Sequence, residues 1–135
     1  MESRRNFVMK IAAGMAATTM ASVSVKAEAS QAPMKNMFVH HVFFWLKEPK
    51  NQEARTAFEK GLQQLIQVPQ IQSSHIGTPV ESDREVVDDS FTYSYMAFFR
   101  NQEDQNAYQT HPIHLKFIED CQHLWEKVIV YDTMD

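Results

Sequence analysis

Residues 37–46 read MFVHHVFFWL, a stretch dense in aromatic and β-branched residues. This composition predicts a buried strand, and the Glu48-Pro49 pair that follows ends it. Because successive side chains of a strand point to opposite sides, the stretch has two faces: His40, Val42, Phe44 and Leu46 on one, and Val39, His41, Phe43 and Trp45 on the other. Both faces are apolar, so we expect a sheet that is covered on both sides.

The segments that follow carry helix and strand patterns in turn. Apolar residues recur at helical spacing over residues 51–67, which predicts a helix. Residues 71–81 show a weak alternation that predicts a strand, and residues 90–99 carry a second strong strand pattern. One face of that strand carries Phe91, Tyr93, Tyr95, Ala97 and Phe99. One helix is predicted from Asn101 and another from Pro112 to about residue 124, and KVIVYDTMD closes the chain as a strand.

This order of elements, β-α-β-β-α-β, predicts an α+β fold, the ferredoxin-like split βαβ sandwich. Helices on one side of four strands leave the other side of the sheet bare. The bare face carries Val39, Phe43, Trp45, Met96 and Phe98. An apolar surface of that kind predicts a partner subunit. We therefore expect a homodimer through the open sheet face, in which two sheets form a dimeric α/β barrel.

The N-terminal stretch has the layout of a signal peptide, residues 1–29. It begins with basic residues, continues with an uncharged run over residues 11–25, and reaches small residues at Ala27 and Ala29. That run is shorter than the roughly 20 residues that span a bilayer, so we expect no membrane anchor. Cleavage after Ala27 or Ala29 would leave a flexible leader at 30–36 and one domain at 37–135.

The opening SRRNFVMK resembles a twin-arginine signal. The residues that match its pattern are Ser3, Arg4, Arg5, Phe7, Val8 and Lys10. The resemblance implies a periplasmic or secreted protein that is exported in the folded state. An ordinary secretion signal with a chance arginine pair stays open as the alternative.

Charge and cysteine content restrict the partners and the sources of stability. The chain has 13 basic and 17 acidic residues, a formal charge of −4. Residues 1–29 hold four of the basic and two of the acidic residues, so the rest carries about −6. A small acidic domain is a poor partner for phosphate backbones, and no nucleic acid partner is expected. Cys121 is the only cysteine, so no internal disulfide can form.

Four segments together resemble the stress-responsive dimeric α/β-barrel (Dabb) domain family. They read HHVFFWLK, VPQIQSSHIGTP, YQTHPIHLKF and LWEKVIVYD, and the resemblance spans residues 38–133. It implies a ferredoxin-like subunit and a homodimer whose two sheets form a barrel. Many members of the family have no assigned reaction. One plant member is a polyketide cyclase that needs no cofactor and uses an apolar pocket between sheet and helices.

Carried over by motif, the resemblance places acid/base chemistry at His114 and Tyr108, and a pocket histidine at His40. Two positions depart from the cyclase: Tyr93 stands where it has a further histidine, and Gly61 where it has a tyrosine. The predicted ligand-binding set is His40, Val42, Phe44, Phe58, Tyr93, Tyr95 and His111. We expect a small hydrophobic or aromatic ligand and no cofactor.

The HPIH element leaves several interpretations open. Pro112 fits the first turn of a helix, so His111 and His114 could be structural residues at its start. A metal site is not expected, because zinc needs three or four ligands in register and only two are fixed by spacing. Three functions stay open: cofactor-independent proton transfer, a stress-response or ligand-binding module without turnover, and cofactor-free oxygenase chemistry.

Overall fold

The computed structural model describes residues 14, 16–18, 20–22 and 31–135. The chain divides into two units, Met1–Ala32 and Pro33–Asp135, and the helices and strands described lie in the second. The predicted twin-arginine motif and both predicted cleavage positions lie outside the described residues. Within the described part of the chain, no helix is long and apolar enough to cross a membrane.

The second unit folds in the predicted order of elements. Along the chain these are β1 (Phe38–Leu46), α1 (Gln52–Leu65), β2 (Ser73–Gly77), β3 (Tyr93–Phe99), α2 (Gln102–Gln109), α3 (Pro112–Cys121), a 3₁₀ turn (Gln122–Leu124) and β4 (Trp125–Met134). Asn51, Asn101 and His111 cap the three helices in turn, because each accepts a bond from a backbone N–H of the first turn.

The four strands form one antiparallel sheet in the order β2-β3-β1-β4. Along β1 the predicted alternation is present: Phe38, His40, Val42, Phe44 and Leu46 are buried, and the residues between them are partly exposed. The buried face packs on α1 and α3 in one apolar core. The prediction of a ferredoxin-like α+β fold is therefore confirmed.

The start of β3 differs from the prediction. Phe91 was expected on the core face with Tyr93, but its ring lies 5.0 Å from that of Phe43, on the open face of the sheet. Thr92 is buried instead; its N–H donates to the Phe44 carbonyl, and its hydroxyl accepts from the N–H of Leu46. These two bonds hold Thr92 against β1 with its side chain buried. The regular alternation of buried and partly exposed residues along β3 therefore begins only at Tyr93.

Helices α1 and α3 approach closely at a glycine. A Cβ atom on Gly61 would lie 2.4 Å from the sulfur of Cys121 and 3.3 Å from the ring of Phe117. A side chain fits there only if the Cys121 sulfur moves away. Cys121 is free and buried, and burial raises the pKa of its thiol to about 11. The residue therefore acts as a small apolar filler.

The two ends of the domain lie side by side. Phe38 at the start of β1 pairs with Met134 at the end of β4. Just outside that pair, the carboxylate of Asp135 accepts bonds from the backbone N–H groups of Asn36 and Met37, at 2.7 and 2.9 Å. Asn36 has a φ of 56°, which asparagine tolerates better than most residues. These contacts fix the direction in which the chain enters β1.

Candidate functional site

A cavity of about 200 Å³ lies between the helix side of the sheet and helices α2 and α3. Its walls are mostly apolar, and His40, Tyr108 and His114 are among the residues with polar side chains that line it. The other lining residues are Val42, Phe44, Leu65, Tyr95, Gln109, Phe117, Ile118, Trp125, Val128 and Val130. Part of the lining comes from β4, which is an edge strand of the sheet. This combination is typical of a site for a small organic molecule.

Tyr108 lies near the end of α2, with only 1% of its surface exposed. Its hydroxyl is 3.2 Å from the hydroxyl of Tyr95 on β3. Burial is the main cause that raises the pKa of Tyr108 far above its ordinary value, and it raises the pKa of Tyr95 to about 12. Both phenols therefore stay protonated at neutral pH and can only donate or accept hydrogen bonds.

His114 lies in the first turn of α3, with its ring 4.6 Å from the ring of Tyr108. Its Nδ1 is 3.0 Å from the carbonyl oxygen of Gln109. A carbonyl can only accept, so Nδ1 carries the proton and Nε2 keeps a free lone pair. Burial lowers the pKa of His114 below its ordinary 6.5; the bond to Gln109 opposes this effect, and nearby His40 adds to it. At neutral pH the ring is thus uncharged, as a general base requires.

His40 has an acidic partner that the sequence did not reveal. Its Nδ1 donates to Oδ1 of Asp132 at 2.6 Å, because β4 pairs with β1 in the register that sets these two residues opposite each other. The His40 ring is 5% exposed, while the Asp132 side chain is 42% exposed. The carboxylate holds a proton on Nδ1 and fixes the orientation of the ring, so that Nε2 is the nitrogen left for other contacts.

The three polar residues form a continuous cluster, because the Tyr108 ring lies 5.7 Å from His40 and 4.6 Å from His114. Two imidazoles, of which that of His114 is neutral, flank one protonated phenol. Such a set can accept a proton at an imidazole nitrogen while the phenol donates a hydrogen bond to an oxygen that gains negative charge.

Three residues of the predicted ligand-binding set lie outside this cavity. Phe58 is fully buried in the core against Phe44. The hydroxyl of Tyr93 turns toward α1 and donates to Glu59. His111 uses Nδ1 to accept the N–H of Ile113 at the start of α3, the structural role that the sequence left open. In contrast, His40, Val42, Phe44 and Tyr95 all line the cavity.

Among the described residues, no group of three histidine, cysteine or acidic side chains is arranged to hold a metal ion.

Comparison with known families agrees with the fold. The model of the stress responsive A/B barrel domain, Dabb, matches residues 38–135. The chain belongs to the Dabb family. Among curated proteins, no sequence matches this Dabb chain significantly.

Solved structures similar to this Dabb protein share its fold at low sequence identity. A Dabb family protein from Mesorhizobium loti has a TM-score of 0.62 at 19% identity, over 73% of this chain and 96% of its own. A dimeric ferredoxin-like protein of unknown function from Bacteroides fragilis has 0.60 at 17%, over 76% and 100%. The hydroxynitrile lyase from Passiflora edulis has 0.64 at 22%, over 76% and 95%. At these identities the likeness establishes the fold alone.

Proposed function

We propose that this Dabb protein binds a small, mostly apolar carbonyl or aromatic compound in the cavity and transfers protons on it without a cofactor. The observation that carries the proposal is the placement of His40, Tyr108 and His114 around one apolar cavity. At about 200 Å³ the cavity is smaller than the roughly 300–1,000 Å³ of drug-sized sites. A single ring or a short chain therefore suits it best.

In the proposed reaction His114 is the base. Its free Nε2 accepts a proton from a carbon next to a carbonyl group, and the electrons of that C–H bond move toward the carbonyl oxygen. Tyr108 stabilises the resulting oxyanion by donating a hydrogen bond. Return of the proton to either end completes an isomerisation or an exchange. His40, held by Asp132, positions the ligand from the opposite side.

The Passiflora edulis neighbour is named as a hydroxynitrile lyase, so at least one protein of this fold is an enzyme. A binding protein without turnover is the second candidate, because the apolar walls and the buried tyrosine pair would serve it equally well. The two differ in one measurable property, proton exchange on a bound ketone.

The test uses acetophenone and cyclohexanone as probes, with the full chain in D₂O. We expect a rise in Tm with probe concentration, and deuterium incorporation next to the carbonyl that exceeds the buffer rate, measured by NMR. His114→Ala should abolish the exchange, and Tyr108→Phe should reduce it by about tenfold to a thousandfold. Binding without exchange would assign the protein to the second candidate.

The matched control is His123→Ala, an exposed histidine that does not line the cavity. It should behave as the wild type in both measurements. If neither probe stabilises the wild type, or if His114→Ala and His123→Ala exchange at the same rate with native circular dichroism, the proposed site is wrong.

We further propose that the protein is a homodimer through the open face of the sheet. Several structural neighbours are described as dimeric ferredoxin-like proteins. On this chain the open face carries Phe43, Trp45, Met96 and Phe98, all only partly buried.

Export through a twin-arginine pathway is also a proposal, supported by the pattern of residues 3–10.

A further inference from the structure

The open face of the sheet carries a row of residues that the dimer proposal does not explain. His41 on β1 pairs with Met96 on β3, which pairs in turn with His75 on β2. Tyr131 on β4 completes the row beside His41. Two of the chain's six histidines thus lie on the surface where a second copy would dock, two strands apart.

The two imidazoles contact neighbouring residues: His41 contacts Ser94, and His75 lies against Gly77, which pairs with Ser94. Nε2 of His41 lies 2.8 Å from the hydroxyl of Ser94, the residue of β3 that pairs with Gly77 of β2. The ring of His75 lies over Gly77, since a Cβ at that position would be 2.9 Å from its Cε1. Glycine at 77 therefore leaves room for the His75 ring to fold toward Ser94 from one side, while His41 reaches it from the other.

An aromatic ring and other imidazoles lie close to His41. The His41 ring packs 4.2 Å from that of Phe43. Burial lowers the pKa of His41, and the nearby His75 and His40 lower it further. In the described part of the chain, no carboxylate forms an ion pair with His41 or His75.

Other ionisable groups lie on the open face outside the histidine pair, or on the helix side of the sheet. Lys127 of β4 lies over the Trp45 ring, 4.4 Å from its centroid. Tyr131 and Asp88 line a small cleft with Phe43, and Asp88 is bonded to Ser90. Behind the sheet, Asp132 is bound to His40. None of the acidic groups is placed to compensate a charge on His41.

We propose that His41 and His75 make dimerisation depend on pH, so that the dimer is stable at neutral pH and weakens as the solution becomes acidic. The inference rests on the proposed dimer through this face. The second copy is the occupant that the dimeric neighbours and the apolar composition of the face support. Each dimer would enclose four imidazoles, two from each copy.

The sign follows from proton linkage. A separated subunit exposes His75 to water and His41 in part, so water can hydrate a charge on either imidazole when the solution becomes acidic. In the dimer, charged imidazoles would lie near one another in an apolar, poorly hydrated interface. The subunits then bind more protons than the dimer, and acid favours dissociation. Each proton that the separated subunits bind and the dimer excludes raises the dimer Kd about tenfold per pH unit over the range of its uptake.

The experiment measures the dimer Kd of the full chain by sedimentation equilibrium at about pH 7.5 and about pH 5.5, on either side of the ordinary histidine pKa. Wild type should show a Kd at least about tenfold higher at the lower pH. The variant His41→Gln/His75→Gln should lose most of that difference, because glutamine keeps a hydrogen-bonding group and cannot take up a proton. His123→Gln, an exposed histidine on the 3₁₀ turn, should keep it.

Circular dichroism at both pH values separates dissociation from unfolding, and His75→Gln alone serves if the double variant does not fold, since His75 is exposed. A wild-type Kd that is equal at the two pH values, or a pH response that survives in the glutamine variants, overturns the inference. A wild type that is monomeric even at about pH 7.5 overturns the dimer proposal itself, which is a distinguishable result.

Discussion

At the scale of single residues, His114 decides whether the cavity can act on a bound molecule. Burial lowers the pKa of its imidazole, so the ring becomes neutral at a lower pH than a free histidine. Exchange of acetophenone protons should therefore rise with pH, with a midpoint below about pH 6.5, and then reach a plateau. Because the pKa of Tyr108 is raised, the plateau should continue well above neutral pH.

The pH profile can be checked by following deuterium incorporation from acid to alkaline solution and, independently, by NMR titration of the His114 ring. A midpoint above about 6.5 would contradict the assignment of His114 as the base. Circular dichroism across the same range excludes unfolding as the cause of any loss at low pH.

The partners of the cavity residues were the part of the structure that the sequence predicted least. The motif pointed to Tyr108 and His114, and the alternation along β1 placed His40 toward the helices. Asp132 was missed, because its contact with His40 depends on the register between two strands 92 positions apart. Tyr93 was predicted in the pocket with Tyr95, and both are buried on the same face. The choice between them depends on which helix each ring meets, α1 for Tyr93 and α2 for Tyr95.

At the scale of elements, Gly61 determines how closely α1 approaches α3. In Gly61→Ala the new methyl group would overlap the Cys121 sulfur. Overpacking of this kind costs about 1–3 kcal/mol, while alanine regains up to about 1 kcal/mol in helix propensity. We expect a net loss of about 1–2 kcal/mol in the free energy of unfolding, measured by urea denaturation.

A double-mutant cycle isolates the contact. In a Cys121→Ala background the obstructing sulfur is gone, so the loss should disappear there and Gly61→Ala should be neutral or stabilising by up to about 1 kcal/mol. Lys60→Ala is the control on α1; this exposed position should change stability by less than about 0.5 kcal/mol. An equal loss in both backgrounds would show that the close approach to Cys121 is not what requires glycine.

Most elements could be read from periodicity, because the aromatic strands and the amphipathic first helix carry strong patterns. Helix starts were equally clear: Asn101 and Pro112 mark them in sequence, and the structure has them as cap and first residue. The error at Phe91 arose because alternation was extended through Thr92, whose burial is set by its bonds to β1. Those bonds are long-range, and local composition contains no trace of them.

At the scale of the whole molecule, the open face predicts that a charge placed in its centre should separate the subunits. Phe43 contacts His41, Phe91 and Tyr131 on that face. Phe43→Lys would bring an ammonium group into the proposed interface, so we expect a monomer by light scattering with native circular dichroism. Leu115→Lys is the matched control, because Leu115 is an exposed apolar residue on α3 and its replacement should leave the dimer intact. A dimeric Phe43→Lys would place the interface elsewhere.

Export can be tested separately from the fold. In a bacterial host, the full chain should reach the periplasmic fraction, and Arg4→Lys/Arg5→Lys should retain it in the cytoplasm if the twin-arginine pathway reads the arginine pair. Lys10→Arg keeps the charge outside that pair and should be exported normally. Equal export of all three chains would favour an ordinary secretion signal.

The contact of Asp135 with Asn36 and Met37 also has a mechanical consequence. The start of β1 lies beside the end of β4, because the two strands are antiparallel neighbours. A force that pulls residues 37 and 134 apart therefore acts perpendicular to the strands, across the hydrogen bonds between them. The hydrogen bonds then break one pair after another, as in a zipper, and the two bonds to Asp135 break first. A load between residues 46 and 134, at opposite ends of the same two strands, would instead shear many bonds at once. The domain should therefore yield at a much lower force when it is stretched by its own ends than when it is stretched along the strands.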